Sequence, residues 1–147
     1  MRGLIVCAVL LSCACGSAPA PDTTHAYKSL VHSYYLKYDT ARGAAYDYCV
    51  VGTDLPLCRE RGTLMIAVWQ GLLKDLDRTP APSKFAADDR AIRKQLPVGI
   101  GDLQTMVAAA AAGNHDAMVK AGQAYIDDMV PIVTDALHHI DPVWPQE

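Results

Sequence analysis

Four stretches of this chain repeat apolar residues at every third or fourth position, and this period restricts the possible fold more than any other feature. They run over about residues 24–49 and 56–78, from Ser83 to Gly113, and from Asn114 to Ile140. No stretch alternates apolar and polar residues as a strand would. Because an apolar stripe on a helix is stable only when it is buried, we predict an all-α, up-and-down four-helix bundle.

Turn residues separate the four predicted helices. The sequence Thr79-Pro80-Ala81-Pro82 stops the second helix, and Gly113 and Asn114 divide the third from the fourth. Pro97 and Pro131 lie inside helical patterns, where they predict kinks or breaks. The predicted core includes Tyr27, Val31, Tyr34, Tyr38, Leu64, Met65, Leu72, Ile92, Leu96, Leu103, Met118, Tyr125 and Ile140.

The N-terminus has the pattern of an export signal. Arg2 supplies a positive charge, and the apolar run from Leu4 to Leu11 follows it. A membrane-spanning helix needs about 20 apolar residues, so this run is too short to span a bilayer and indicates a signal peptide. Cleavage after Ala18-Pro19-Ala20 would secrete the chain, although Pro21 directly after that site disfavours cutting there.

The end of the apolar run favours a lipid anchor over simple secretion. Leu10-Leu11-Ser12-Cys13 resembles the lipobox of bacterial lipoproteins. The resemblance implies that the Cys13 thiol receives an acylated glyceryl group and that the chain is cut just before it. We therefore expect a signal peptide at 1–12, a lipidated, flexible spacer at 13–24 and a bundle domain at 25–147, on the extracytoplasmic face of the cell membrane. The chain resembles small bacterial lipoproteins with no assigned activity.

Cys49 and Cys58 are predicted to form a disulfide. They flank a turn-rich connection between the first two helices, and an exported domain meets conditions that permit disulfides. Two unpaired buried thiols are the alternative. A Cys metal pair fits less well, because the spacing exceeds the usual gap between Cys ligands and no His lies between them.

Histidines offer the one candidate metal site. An up-and-down order brings His25 and His32, near the start of the first helix, close to His138 and His139, near the end of the fourth. Imidazole suits Zn and Cu. These histidines lie off the apolar stripes, however, so we expect solvated side chains and predict no bound metal or cofactor. The chain has no Glu-x-x-His for a di-iron site and no Cys-x-x-Cys-His for covalent haem.

Aromatic and acidic residues complete the set of candidates. Six of the seven tyrosines lie between Tyr27 and Tyr48, which predicts core packing or an aromatic contact face. Trp69 lies off the predicted stripe with Ile66 and Leu73, as part of a partner site or of a wide core face. The pairs Asp88-Asp89 and Asp127-Asp128 are interpreted as solvated charges, because helix neighbours point about 100° apart.

The function expected from these features is binding without catalysis. No nucleophile elbow, phosphate loop or His-Glu-x-x-His helix occurs. The formal net charge is −3 and basic residues do not cluster, so nucleic acid is not an expected partner. We expect a lipid-anchored interaction module that binds an envelope protein. The alternative is a bundle that carries a small ligand or a metal.

Overall fold

The computed structural model describes residues 23–43, 49 and 54–145. They form an all-α domain with five α-helices and one short 3-10 helix, and these described residues contain no strand. The residues of the predicted signal peptide, the predicted lipidation site Cys13 and the predicted spacer up to Asp22 lie outside this part of the chain. The helices are α1 (Thr23–Arg42), α2 (Leu55–Leu76), α3 (Ala86–Ala111), α4 (His115–Asp128) and α5 (Val130–Ile140), and the 3-10 turn Ser83–Phe85 precedes α3.

The ends of the helices follow local chemistry. Asp54 caps α2 by accepting a hydrogen bond from the Leu57 amide at 2.9 Å, and Asn114 caps α4 by accepting one from the Ala117 amide at 3.1 Å. Gly113, with a φ of 70°, takes the left-handed conformation that ends α3. The predicted start of the fourth helix at Asn114 is therefore confirmed.

The first helix is shorter than predicted. Gly43 has a φ of 48°, and its amide bonds the Asp39 carbonyl at 3.0 Å, so α1 ends at Arg42 rather than near Cys49. The period of the apolar residues continued past this glycine, which is why hydropathy alone missed the stop.

The two internal prolines have different effects. α3 continues through Pro97, so no break occurs there. The predicted fourth helix is divided at Met129 into α4 and α5, with Pro131 in the first turn of α5. Proline has no amide hydrogen to donate and fits the first turn of a helix, so the chain starts a new helix rather than continuing the old one. Five α-helices with described bounds accordingly stand where four were predicted.

Helix α3 lies at the centre of the packing. It contacts α2, α4 and α5, whereas α1 packs mainly on α2. Leu96 and Leu103 of α3 are buried with Leu72 of α2 and Met118 of α4 in one continuous core. Met129, at the junction of α4 and α5, is buried as well and rests on α3 beside Gly99.

The buried face of α2 differs from the prediction. Cys58, Gly62, Met65, Trp69, Leu72 and Leu76 face the core. Trp69, predicted to lie off the stripe, is almost completely buried, whereas Leu64, predicted to be core, is 43% exposed. Gly62 explains the rotation, because a Cβ at this position would come within 2.7 Å of the side chains of Met106 and Val107 on α3. A hydropathy pattern does not count a glycine that permits such a close approach.

A glycine in α3 provides a direct test of this close packing. A Cβ at Gly99 would lie 2.5 Å and 2.8 Å from Cγ and Cβ of Met129, whereas a Cβ at Gly101 would meet no atom within 4 Å. We expect Gly99→Ala to lower the free energy of unfolding by about 1–3 kcal/mol through overpacking. Gly101→Ala should raise it by about 0.5–1 kcal/mol through helix propensity. Urea titrations followed by circular dichroism measure both, and equal effects would contradict the packing at Met129.

Candidate functional site: a groove between the first two helices

The predicted disulfide is present. Cys49 and Cys58 are bridged, with their Cα atoms 5.3 Å apart, and both side chains are buried. The bridge holds the start of α2 to the connection that follows α1.

Loss of this bridge should destabilise the domain without removing its helices. We expect the double change Cys49→Ser and Cys58→Ser to lower the free energy of unfolding by about 2–3 kcal/mol, because the unfolded chain gains freedom when its short loop opens. Urea titrations with and without reductant measure the effect. Reductant should shift the wild-type midpoint and leave the double variant unchanged, and a wild-type midpoint insensitive to reductant would contradict the bridge.

Three of the four candidate histidines are placed largely as expected. His25 and His32 are exposed on α1 and line one shallow depression together with Asp141. His32 Nδ1 lies 2.8 Å from a carboxylate oxygen of Asp141, so this pair joins α1 to the segment after α5. His139 is exposed, and its Nδ1 lies 3.4 Å from Asp88 of α3.

His138 differs from its prediction. It is half-buried rather than solvated, and its Nδ1 pairs with the main-chain carbonyl of Trp144. Within residues 23–43, 49 and 54–145, no three His, Cys, Asp or Glu side chains come close enough together to hold a metal ion. The histidines near the end of α5 thus contact the C-terminal segment and α3.

The aromatic residues form a buried cluster that includes one residue the sequence did not reveal. Trp144 is fully buried after the end of α5, with its ring 6.0 Å from that of Trp69 and 5.5 Å from that of Tyr38. Tyr35 meets Trp144 edge-on at 5.2 Å, and the Trp69 indole donates a hydrogen bond to the Tyr125 hydroxyl at 3.0 Å. The segment after α5 has no helical period, so the hydropathy pattern does not predict that Trp144 is buried. The one local cue is a large aromatic residue between Pro142 and Pro145.

One of the predicted solvated carboxylates is instead buried. Asp89 accepts a hydrogen bond from the Tyr27 hydroxyl at 2.8 Å and another from Arg93 Nε at 2.7 Å. Arg93 also pairs with Asp77 and donates to the Leu76 carbonyl, which ties α3 to the end of α2. Burial, followed by the bond to Asp89, raises the pKa of Tyr27. Asp127 and Asp128 are exposed, as predicted.

A groove between α1 and α2 presents mainly apolar side chains that core packing does not cover. Its volume is about 610 Å³. Leu36 and Leu64 are 56% and 43% exposed there, although both are large apolar side chains. We call this surface the α1/α2 groove; the side chains that define it are Leu36, Lys37, Thr40, Arg61, Leu64 and Val68.

Both ends of the α1/α2 groove are held by specific contacts. At one end the Tyr34 hydroxyl packs against Gly71, where a Cβ would lie 2.9 Å from it, and donates to Asp75 at 2.7 Å. At the other end Arg61 Nη1 donates to the Thr40 carbonyl at 3.3 Å. Two antiparallel helices fixed in this way keep the exposed leucines in place.

The charges along the α1/α2 groove have one sign. Lys37 and Arg61 line it, and no carboxylate of the described residues does. The Lys37 ammonium lies 3.9 Å from the centre of the Tyr34 ring. Asp75 accepts a hydrogen bond from the Tyr34 hydroxyl. Nε of Arg61 is buried and makes no hydrogen bond.

The hydrogen bond between Tyr34 and Asp75, at one end of the groove, makes the stability of the domain depend on pH at high pH. Burial, followed by this bond, raises the pKa of Tyr34 to about 12. The unfolded tyrosine ionises near pH 10, so the contribution of Tyr34 to stability is present below about pH 10 and is lost as pH rises to about 12. We expect the wild type to lose about 2 kcal/mol more than Tyr34→Phe over this interval. Urea titrations at pH 9 to 12 check this, and parallel losses would contradict it.

The sequence predicts the two helices that form this site but not the residues exposed in it. Leu64 was predicted to be buried because the wrong face of α2 was assigned to the core, and Leu36 of α1 was given no role. Both helices and the disulfide at the start of α2 were predicted from the sequence. A cue was nevertheless available, because Cys58, Gly62, Met65, Trp69, Leu72 and Leu76 also repeat at three-to-four spacing once the small residues are counted.

None of the described helices combines the length and the apolar character needed to cross a membrane. Comparisons with known proteins add no further assignment to the geometry described above. No protein-family model, no curated protein and no solved structure matches this chain.

Proposed function

We propose that this chain is a lipid-anchored protein of the cell envelope whose helical domain binds a partner through the α1/α2 groove, without catalysing a reaction. One observation carries the proposal: Leu36 and Leu64 are both exposed in one groove, and hydrogen bonds hold the two helices together at both ends of that groove. Large apolar side chains exposed together at one groove favour a contact site over apolar residues scattered singly on a surface.

The scaffold we propose is an up-and-down bundle in which α4 and α5 together form the fourth column. Consecutive helices pack against one another, and this supports the arrangement. The filled aromatic cluster around Trp144 supports the same view, since the interior is used for packing. A partner would then be bound on the outside of the bundle.

The anchor is the second part of the proposal. Its support is the lipobox resemblance at Leu10-Leu11-Ser12-Cys13. Expression in a bacterium supplied with an alkyne-tagged palmitate should give a labelled protein in the membrane fraction. Cys13→Ala should abolish the label, whereas Cys15→Ala should keep it. A label that survives Cys13→Ala would contradict the anchor at this residue.

Footprinting of the unmodified protein tests whether the groove is a contact site. Hydroxyl radicals oxidise exposed leucine side chains, and the extent of oxidation is read by mass spectrometry. We expect Leu36 and Leu64 to be protected in intact envelopes of the organism that makes the protein and reactive after purification. Val98 and Ile132, which are 45% and 48% exposed away from the groove, serve as controls.

The outcomes of this footprint are distinct. Protection at Leu36 and Leu64 alone supports the proposed contact site. Equal reactivity in envelopes and after purification would contradict it. Protection of these leucines in the purified protein would mean that another segment of the chain covers the groove, which contradicts the proposal as well.

A further inference from the structure

We infer that the occupant of the α1/α2 groove is an amphipathic helix of a partner protein that carries carboxylates beside its apolar face. This inference rests on the proposed function and adds the chemistry of the partner to it. Three properties of the groove lead to it: its shape, the position of its apolar side chains and the sign of its charges.

The shape of the groove fits a helix. Its α2 wall runs from Arg61 to Gly71, and at 1.5 Å per residue this is about 15 Å, or nearly three helical turns. Leu64 and Val68 on this wall are one turn apart, and Leu36 and Thr40 are one turn apart on the α1 wall. A helix that places apolar residues at positions i, i+3 or i+4 and i+7 matches such a pair of walls.

The charges of the groove select the flanks of that helix. Lys37 belongs to the end near Tyr34, and Arg61 belongs to the end near Thr40. Both are cations, and among residues 23–43 and 54–145 no carboxylate lines the groove between them. Because complementary charges speed association and exclude wrong partners, carboxylates beside the apolar stripe fit and ammonium groups do not. The chain as a whole is acidic, with a net charge of −3, so this local sign is not a general property of its surface.

Arg61 adds an unused donor at the same place. Its Nη1 bonds the Thr40 carbonyl, but its buried Nε makes no hydrogen bond. A buried donor without an acceptor is unfavourable, so a carboxylate that reaches the Arg61 guanidinium would be bound favourably. Arginine pairs with carboxylates through two parallel hydrogen bonds, which suits a fixed position on a partner helix.

Two other occupants fit these observations less well. A second copy docked on the same face would bring Lys37 and Arg61 of both copies together, and like charges would repel each other. A membrane surface is flat, whereas this site is a groove between two helices whose contacts at Tyr34 and Thr40 hold it in shape. Both occupants are outcomes of the experiment below.

The experiment uses the protein as purified from its envelope and two fluorescent probe helices of 18 residues. The probes share leucines at i, i+3, i+7 and i+10 and differ only in carrying Glu or Lys at the flanking positions. Fluorescence anisotropy at low salt should show the Glu probe binding at least tenfold more tightly than the Lys probe, and added salt should narrow the difference.

Matched variants locate the binding. Leu64→Gln should weaken the Glu probe at least tenfold, whereas Val98→Gln, on an equally exposed side chain of α3, should leave it unchanged. Lys37→Glu, at an exposed position, should cut the preference for the Glu probe at least threefold. Adding Arg61→Glu should reverse the preference, and Lys37→Glu alone still decides the question if the double variant does not fold.

Several results would overturn the inference. These are equal binding of the two probes, tighter binding of the Lys probe, and self-association that Leu64→Gln abolishes. Leu64-dependent binding of phosphatidylglycerol vesicles without binding of either probe would assign the groove to a membrane instead. If neither probe binds while Leu36 and Leu64 are protected in envelopes, the proposed contact site is supported and the acidic helical partner is contradicted. If the footprint shows no protection but the Glu probe binds as described, the preference of the groove for an acidic helix is supported. The proposal that the groove binds a partner in the envelope is then contradicted.

Discussion

Trp144→Ala should lower the free energy of unfolding by about 3–5 kcal/mol, one of the two largest effects we expect from a single change. The side chain is fully buried, and its ring lies among those of Tyr35, Tyr38 and Trp69. Alanine would leave a cavity in this cluster. Since a domain of this size has a total stability of about 5–15 kcal/mol, the loss should be visible as partial unfolding at moderate urea concentrations.

The neighbouring residue supplies the control for Trp144. Val143 is 38% exposed, so Val143→Ala should change the free energy of unfolding by no more than about 0.5 kcal/mol. Trp144→Phe should fall between the two, because a smaller ring fills part of the same space. Urea titrations of the three variants measure the series, and a Trp144→Ala midpoint equal to that of Val143→Ala would contradict the burial of the C-terminal segment.

Asp89→Ala should lower the free energy of unfolding by about 3 kcal/mol, because it leaves the partly buried Arg93 guanidinium and the buried Tyr27 hydroxyl without their shared acceptor. Arg93 keeps its pairing with the exposed Asp77, which limits the loss. Asp88→Ala, one residue earlier, removes only a long contact with the exposed His139 and should cost less than about 1 kcal/mol.

A double variant distinguishes two causes of the loss at Asp89: a buried charge left without its partner, and the loss of the contact itself. Asp89→Leu combined with Arg93→Met removes both charges together and should recover at least half of the loss, since apolar replacement of a buried ion pair is often neutral. Urea titrations measure the single and double variants under identical conditions. A single change at Asp89 no more costly than that at Asp88 would contradict the network.

Much of the fold followed from periodicity and capping alone. The helical class, the start of α4 at Asn114 and the disulfide between Cys49 and Cys58 were all predicted from the chain. These features depend on residues close together in sequence, where spacing and local backbone chemistry decide the result. The division at Met129 was half predicted, because Pro131 marked the place but could not distinguish a kink from two helices.

The features that were missed depend on residues far apart in sequence. Asp89 looked solvated because its partner Tyr27 is 62 positions away. Trp144 lies beyond the last helical pattern, and its buried position depends on the side chains of α1 and α2 that surround it. Helix α2 was rotated because Gly62 has no side chain to show in a hydropathy pattern, although its backbone approaches α3 closely. The groove was therefore missed, because its Leu64 had been assigned to the core.

The most direct test of the proposed contact site is photo-cross-linking in living cells of the organism that makes the protein. A photoreactive amino acid is placed at Leu36, at Leu64 or, as control, at Val98. We predict that both groove positions form an adduct with the same single protein, that Val98 forms none, and that Lys37→Glu reduces the yield at Leu64. Equal adducts at all three positions, or no adduct at Leu36 and Leu64, would contradict a binding site in the α1/α2 groove.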